Sequence, residues 1–210
     1  MESDRDRRQA AVAVLEVFPV PFGSPKRERP MTYSDYPPKM PGSKPVEHLD
    51  LSWEMFGELC RALALRVARD FEPDLIVGIA RAGVFPGAVV ASVLRKDFYS
   101  LTISRREGGE LVRDRPAVLS AAPLQCQGKK ILLVDEITSS GDTLRLGLAS
   151  IRDRGPSEVR TATSFARRRG FQPDYVALQT DANIIFPWDR KIFEGEDLVV
   201  NPRYEGVVED

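Results

Sequence analysis

Two adjacent carboxylates, Asp135 and Glu136, follow a run of four aliphatic residues at positions 131–134. The run does not alternate with polar residues, which indicates a strand of a parallel sheet with both faces covered. Small hydroxyl and glycine residues follow the carboxylates, and a helical pattern begins behind them. Backbone N–H groups in such a loop and the dipole of the next helix suit a phosphate, while carboxylates accept hydrogen bonds from sugar hydroxyls. The segment predicts a pocket for a phosphorylated sugar.

A second loop with anion chemistry, Ala80-Arg81-Ala82-Gly83, directly follows the apolar run at 75–79. Arg81 can bind an anion through two parallel hydrogen bonds, and Gly83 permits a backbone turn that other residues resist. An ordinary turn from a strand into a helix would have the same pattern. The prediction of an anion site here therefore depends on the carboxylate segment that follows farther along the chain. Ligands of parallel sheets lie beyond the carboxyl ends of the strands, where both loops are expected.

The rest of the pattern alternates strands with helices. Ser52 is a candidate N-cap of a helix whose apolar residues recur at helical spacing from Phe56 to Val67. A helix is predicted to run through 89–94, and another over 143–154 is stopped by Gly155 and Pro156. Strands are predicted over 75–79, 98–103, 131–134, 159–165 and 175–178. The alternation predicts an α/β fold, with helices on both faces of a parallel sheet.

Composition excludes several classes of function. The chain of 210 residues has 30 basic and 31 acidic side chains, so no overall field favours nucleic acid or an anionic membrane. His48 is the only histidine and is interpreted as a bystander, which removes histidine-based triads and multi-histidine metal sites. Cys60 and Cys126 are too few for a disulfide framework. The phosphate motifs G-x-x-x-x-G-K-[ST] and G-x-G-x-x-G do not occur.

The chain is expected to divide near residue 46. Eight prolines crowd positions 19–45, where aliphatic residues are few, so this segment cannot offset its ordering entropy with a core of its own. The predicted organisation is an N-terminal extension over 1–45, one domain over 46–200 and a C-terminal tail over 201–210. Met31 is a second candidate start. Because no run reaches transmembrane length and the start does not look like a signal peptide, the cytoplasm is the expected location.

The two loops resemble those of type I phosphoribosyltransferases. Residues 131–144 resemble the motif of that family that binds 5-phosphoribosyl 1-pyrophosphate (PRPP), and residues 77–88 resemble the pyrophosphate loop of its bacterial and archaeal 6-oxopurine enzymes. The resemblance implies the type I fold, in which helices flank a central parallel sheet and a small hood and a flexible flap are added. It also implies Mg²⁺-dependent transfer of the 5-phosphoribosyl group from PRPP to a nucleobase, and assembly as a homodimer or homotetramer.

The acceptor is less sharply implied than the donor. A 6-oxopurine (guanine, xanthine or hypoxanthine) is the preferred interpretation, because the pyrophosphate loop resembles the 6-oxopurine enzymes. Orotate, a non-nucleobase acceptor, or a catalytically weak regulator that senses PRPP stay open as alternatives. Neither a nucleic-acid partner nor a membrane is expected.

The resemblance assigns roles to residues of the donor side. Asp135 and Glu136 would hold the ribose hydroxyls and, tentatively, Mg²⁺ that PRPP carries in, and Arg81 would neutralise pyrophosphate. Arg105 is the catalytic candidate of the flap, although Arg106 could take its place. The remaining PRPP-binding candidates lie in the two loops: Ala82, Gly83, Thr138, Ser139, Ser140, Gly141, Asp142 and Thr143.

The resemblance also assigns a base-binding set, with two departures from the family pattern. The set is Arg167, Asn183, Ile184, Phe186 and Trp188. Arg167 stands where purine enzymes carry a lysine that donates to the 6-oxo group. Asn183 falls at the place of an aromatic residue that stacks on the purine, and Ser139 at the place of a carboxylate near N7 of the base. Both departures leave the identity of the base open.

Overall fold

The computed structural model describes residues 47–107 and 110–208. The predicted extension over 1–45 and the candidate start Met31 lie outside the described residues. No helix in the described part of the chain is both long enough and apolar enough to cross a membrane.

A six-stranded sheet forms the centre of the domain, in the order β6-β3-β2-β7-β8-β9. Its strands are β2 (Leu75–Ala80), β3 (Asp97–Ser104), β6 (Ala117–Val118), β7 (Lys130–Thr138), β8 (Glu158–Ala166) and β9 (Tyr175–Gln179). All neighbours are parallel except β3 and β6, which are antiparallel. Every residue of β7 from Ile131 to Asp135 is buried, as its unbroken apolar run predicts.

Helices cover both faces of this sheet. On one face, α1 (Trp53–Val67) and α2 (Val84–Leu94) contribute to a core with Leu132 and Val134. On the other face, α3 (Asp142–Arg152) packs with Leu133 and Ile131 of the same strand. Alternate residues of β7 thus point to opposite helical layers. The predicted α/β fold is confirmed.

Local signals account for the helix that opens the domain. Ser52 caps α1, with its hydroxyl accepting a hydrogen bond from the Met55 N–H at 3.1 Å. Cys60 lies on the buried face of this helix, and burial raises the pKa of its thiol to about 12. A thiol in that state stays protonated at neutral pH, so this cysteine is a packing residue and no nucleophile.

A hood of short strands stands beside the main sheet. Strand β1 (His48–Asp50) pairs in parallel with β10 (Asn183–Ile185), and β11 (Lys191–Glu194) pairs antiparallel with β12 (Asp197–Val200). A separate apolar cluster of Leu51, Phe56, Cys60, Phe165, Ile184 and Phe186 joins β10 to α1 and β8. The hood is therefore tied to the domain through buried side chains.

The flap follows β3. It contains the two-residue strands β4 (Arg106–Glu107) and β5 (Glu110–Leu111), which pair antiparallel. The Arg105 carbonyl oxygen accepts hydrogen bonds from the N–H groups of Val112 (3.0 Å) and Arg113 (3.1 Å), which draws the two arms together. Residues 108 and 109 at the tip lie outside the described part.

Candidate active site

A cleft of about 600 Å³ opens at the carboxyl ends of β2, β3, β7 and β8. This is the edge at which parallel sheets bind ligands. The lining comes from the loops after β2 and β7, from the flap and from the end of β8. The lining residues are Ile79, Ala80, Arg81, Ala82, Ile103, Ser104, Arg105, Arg106, Asp114, Pro116, Asp135, Glu136, Ile137, Thr138, Ser139, Ser140, Gly141, Asp142, Thr143, Leu144 and Arg167.

The carboxylate pair stands at the floor of the cleft. Asp135 is only 6% exposed, while Glu136 is half-buried. Burial and the neighbouring carboxylate of Glu136 raise the pKa of Asp135 well above its usual range, although the Glu136 N–H donates to Asp135 Oδ1 at 3.0 Å. Two neighbouring carboxylates, one of them buried, are an unfavourable arrangement that a cationic or hydroxyl-rich ligand relieves.

The loop after β7 is shaped for an anion. Gly141 adopts a left-handed backbone (φ +83°) and is followed directly by α3, so the first N–H groups of that helix face the loop. The Ser140 hydroxyl accepts a hydrogen bond from the Asp142 N–H at 3.4 Å. Thr138 is among the residues that line the cleft but is only 3% exposed, and its Oγ1 is buried without a hydrogen-bond partner in the described part of the chain. A buried hydroxyl in that state is a group that a ligand can satisfy.

The loop after β2 lies directly against the carboxylate pair. A Cβ atom on Gly83 would stand 2.6 Å from the Ile79 carbonyl oxygen and 2.8 Å from Asp135 Oδ1. The Gly83 backbone is right-handed helical (φ −64°), so the expected unusual turn is not found. Glycine is required here because a side chain would have no space. Arg81 and Ala82 line the cleft, whereas Gly83 packs behind them. The two predicted loops thus form one wall.

The flap brings two cations to the same cleft. Arg105 and Arg106 both line it, so the geometry does not choose between the two flap arginines. Glu107 of the flap forms an ion pair with Arg113 at 3.0 Å. Asp114, farther along the flap, adds a carboxylate to the lining. Two neighbouring loops, those after β2 and β3, thus bring positive groups to the cleft at Arg81 and at the flap.

The loop that follows β8 contacts both the loop after β7 and the hood. The N–H of Arg167 donates to the Thr138 carbonyl at 3.0 Å, and the N–H of Phe171 donates to the Ser139 carbonyl at 2.8 Å. A Cβ atom on Gly170 would lie 2.2 Å from that Ser139 oxygen, and one on Gly141 would lie 2.4 Å from Cβ of Phe171. The loop over 167–171 is therefore packed against the loop that is shaped for an anion.

The predicted base-binding residues are divided between two places. Arg167 lines the cleft and donates to the Ala182 carbonyl (2.6 Å) and to Asn183 Oδ1 (3.3 Å). Phe186 and Ile184 are buried in the hood cluster. Trp188 is half-buried and stacks between Phe85 (4.2 Å between ring centroids) and Phe186 (4.6 Å). Apart from Arg167, none of the five lines the cleft.

Comparisons with known proteins agree with this geometry. A family model described as the phosphoribosyl transferase domain matches residues 51–194. The chain belongs to the phosphoribosyltransferase family. The xanthine-guanine phosphoribosyltransferase of Cereibacter sphaeroides is 33% identical over 150 residues, which are 66% of this chain and 85% of that protein. The counterpart from Idiomarina loihiensis is 28% identical over 152 residues, or 70% of this chain and 91% of the relative.

Solved structures support the fold of this phosphoribosyltransferase. The purine phosphoribosyltransferase from Pyrococcus horikoshii superposes with a TM-score of 0.61 at 22% identity, covering 71% of this chain and 99% of that one. A Neisseria gonorrhoeae protein crystallised with ppGpp gives a TM-score of 0.60 at 18% identity, with coverage of 70% of this chain and 92% of that one. At these identities the likeness establishes the fold alone.

The donor groups of this phosphoribosyltransferase suit Mg²⁺ that arrives on a phosphate ligand. Within the described residues, no group of three or more histidine, cysteine or acidic side chains is placed to hold a metal by itself. Asp135 and Glu136 nevertheless form a hard-oxygen corner in the cleft. Mg²⁺ usually takes one or two carboxylates together with phosphate oxygens and water, so the pair fits it in that form.

Several functional positions give no clear signal in the sequence. Asp114 lies in a charged loop that resembles any solvated connection, and Ile137 looks like one more residue of a strand. Phe171 has no motif around it, and the Gly170 beside it is the only local hint of a close backbone approach. Farther along, residues 201–208 of the predicted tail pack on the hood: Tyr204 is buried and its hydroxyl donates to Asp189 Oδ2 at 2.7 Å.

Proposed function

We propose that the cleft transfers the 5-phosphoribosyl group of PRPP to a 6-oxopurine and releases pyrophosphate. The observation that carries this proposal is the meeting of a carboxylate pair, an anion-shaped loop and arginines from two further loops in one cleft. A ligand with a sugar between two phosphate groups matches that set of groups. The relatives named xanthine-guanine phosphoribosyltransferases favour a purine as the acceptor.

Each donor group has a role in this reaction. The bond between the anomeric carbon and the pyrophosphate oxygen breaks, and a ring nitrogen of the base forms the new bond from the opposite face. Asp135 and Glu136 would accept hydrogen bonds from the ribose hydroxyls and stabilise positive charge that develops on the sugar. The loop from Thr138 to Thr143 would hold the 5′-phosphate, whose binding energy positions the reacting carbon.

Arginine side chains would bind and neutralise the leaving group. Arg81 and one of the flap residues Arg105 and Arg106 would bind the pyrophosphate, and closure of the flap would keep water from the cationic sugar. Asp135 and Glu136 would hold Mg²⁺ that arrives with PRPP, and the ion would supply further charge neutralisation. Ala82 would present its backbone to the same oxygens. A cytoplasmic location and assembly as a homodimer or homotetramer stay predictions.

The acceptor side rests on fewer contacts. Arg167 would donate to the 6-oxo group of the base, and Ile137 of β7 lines the same cleft. For Phe186, Ile184 and Trp188 we propose an indirect role: their packing against Phe85 and Phe56 fixes the position of the strand that carries Asn183.

A base panel tests the proposed function. The full chain is incubated with PRPP, Mg²⁺ and one of guanine, xanthine, hypoxanthine or orotate, and pyrophosphate release is followed together with the mass of the nucleotide formed. Release with at least one purine, with the matching nucleoside monophosphate, is the expected result. Release with orotate alone would replace the purine by a pyrimidine acceptor, and PRPP binding without release on any base would favour a sensor.

A further inference from the structure

The loop after β7 is held through its backbone carbonyl groups. Those of residues 138–141 all accept hydrogen bonds, three from backbone N–H groups and one, that of Ser140, from a side chain. The donors, in order, are the N–H of Arg167 (3.0 Å), the N–H of Phe171 (2.8 Å), Nη1 of Arg145 (2.7 Å) and the N–H of Arg145 (2.9 Å). The Arg145 guanidinium thus completes a series that backbone groups begin.

These carbonyl bonds also set the direction of the N–H groups in the same loop. A trans peptide points its C=O and N–H in opposite directions, so the N–H groups of residues 139–142 point away from the donors. Residues 139–142 line the cleft, and the N–H groups of Ser139, Ser140 and Gly141 have no hydrogen-bond partner within the described residues. Free N–H groups before a helix are the groups that bind a phosphate.

Arg145 makes two further contacts beside this loop, although it does not itself line the cleft. Its Nη1 lies 3.3 Å from Oδ1 of Asp142, a carboxylate that lines the cleft and would repel a phosphate. Its guanidinium carbon lies 5.0 Å from the centroid of the Phe171 ring, within the range of a cation–π contact. Phe171 is also the residue that a Cβ atom on Gly141 would meet at 2.4 Å. A carbonyl, a carboxylate and a ring thus hold the guanidinium in one orientation.

We propose that Arg145 is a positioning residue for the 5′-phosphate of PRPP. Its guanidinium fixes the Ser140 carbonyl and thereby the direction of the Gly141 N–H, which belongs to the same peptide. It also offsets the charge of Asp142 where the phosphate binds. Arg145 acts through the loop and does not touch the ligand. This inference rests on the proposed function and deepens it. Lysine can supply the charge, but it lacks the planar group that stacks on Phe171 while it donates.

Two ligands distinguish this role from a general effect of charge. PRPP carries both the 5′-phosphate and the pyrophosphate group, whereas free pyrophosphate carries only the group that is assigned to Arg81 and the flap. Dissociation constants of both, with Mg²⁺, are measured by calorimetry for the wild type, Arg145→Met and Arg145→Lys. Arg145→Met should weaken PRPP binding at least about fivefold, the effect of one lost hydrogen bond, and leave pyrophosphate binding unchanged. Arg145→Lys should recover part of the lost affinity for PRPP.

A second arginine of the same helix supplies the matched control. Arg152→Met removes an exposed cation from the last turn of α3 and should leave the binding of both ligands unchanged. Arg145→Met combined with Asp142→Asn should lose less affinity for PRPP than Arg145→Met alone, because no unpaired carboxylate then remains at the loop.

The outcomes separate this inference from the proposed function. Wild-type affinity for PRPP in Arg145→Met, or an equal loss of affinity for PRPP and pyrophosphate, would overturn the inference while the assignment of the cleft to PRPP stands. An undiminished loss in the double variant would contradict the neutralisation of Asp142. Absence of PRPP binding by the wild type would instead overturn the proposed function.

Discussion

The two ends of the cleft are built in different ways. At the donor end, the backbone of the loop after β2 packs at Gly83 against the Asp135 carboxylate. A side chain at Gly83 or Gly141 would collide with its neighbours. Thr138 Oγ1 is buried there and has no partner within the described residues. At the acceptor end, Arg167 is held by its neighbours, and the aromatic rings of Phe85, Phe186 and Trp188 stack in the hood region outside the lining of the cleft.

This difference teaches which part of the site is committed to a ligand. The donor end holds a carboxyl group with a raised pKa and a buried hydroxyl without a partner, both of which are unfavourable until a ligand binds. The acceptor end is satisfied internally and offers few directed groups. We therefore expect variants of the donor end to affect every substrate, and variants of the acceptor end to affect only the choice among bases.

The largest expected effect follows from neutralising the carboxylate pair. Asp135→Asn combined with Glu136→Gln should lower turnover by at least about a hundredfold with every base, because the developing positive charge loses its partners. Circular dichroism and thermal unfolding should show that the fold survives. Asp97→Asn, an exposed carboxylate at the opposite end of β3, is the matched control and should leave turnover unchanged. Turnover of the double variant near that of wild type would remove the pair from the reaction.

A smaller effect is expected from closing the space at Gly141. Alanine there must accept a left-handed backbone and would also collide with Phe171. Gly141→Ala should raise KM for PRPP and lower the free energy of unfolding by more than the backbone term of about 1–2 kcal/mol. Gly128→Ala isolates that backbone term, because Gly128 has a similar φ (+69°) and nothing within 4 Å of its missing Cβ.

The two glycine variants also sharpen the comparison between the ends of the cleft. If the collision with Phe171 is the cause, Phe171→Ala should relieve part of the Gly141→Ala defect, so that the two changes are less than additive. Equal effects of Gly141→Ala and Gly128→Ala on stability and on KM would show that the packing of the loop over 167–171 against the phosphate loop does not matter.

The raised pKa of Asp135 predicts a pH-dependent stability without ligand. Because the folded state holds this proton more tightly than the unfolded state, the stability it contributes is present at low pH and is lost as pH rises through the folded pKa. Asparagine cannot ionise, so Asp135→Asn should be more stable than wild type at about pH 8 and as stable as wild type at about pH 4. Thermal unfolding at both pH values, with chelator present, measures the difference in stability between the variant and the wild type. A difference that narrows with rising pH would contradict a raised pKa of Asp135.

The smallest expected effect compares two buried hydroxyls without partners. Thr138 is one of the residues that line the cleft, whereas Thr163, which is fully buried and paired in register with Asp135, is not. Thr163→Val should raise the free energy of unfolding by about 1 kcal/mol with PRPP binding retained, since a buried group without a partner is removed. Thr138→Val should weaken PRPP binding instead. Chemical denaturation and PRPP titration of both variants distinguish the two roles.

The donor end could be predicted from the sequence because its parts are contiguous. Residues 135–143 place two carboxylates, a hydroxyl loop and a helix start within one segment, and local geometry alone brings them together. The acceptor end joins Arg167 at the end of β8 with Asn183 on β10, and its geometry depends on how the hood packs on α1. Nothing in the sequence predicts that Asp114 lines the cleft or that Phe171 packs against the loop after β7, because both contacts are made only by the tertiary fold.

The predicted secondary structure differs from the observed one chiefly in the short elements. The long strands are marked by apolar runs, and α1 and α3 by apolar residues at helical spacing, so these elements lie within a few residues of their predicted places. Helix α2 is apolar nearly all round and lacks that spacing. Strands β10, β11 and β12 have three or four residues each and follow no turn signal strong enough to separate them from loop. Their positions are set by pairing with β1, by hairpin formation and by the buried cluster under the hood.

Binding of PRPP by the full chain tests the central claim most directly, because it does not depend on the acceptor. Isothermal titration calorimetry in the presence of Mg²⁺ should give saturable heat with one site per chain, and the Asp135→Asn and Glu136→Gln double variant should lose most of that affinity. Asn183→Asp should bind PRPP like the wild type. Absence of saturable heat with the wild-type chain and Mg²⁺ would contradict the assignment of the cleft to PRPP.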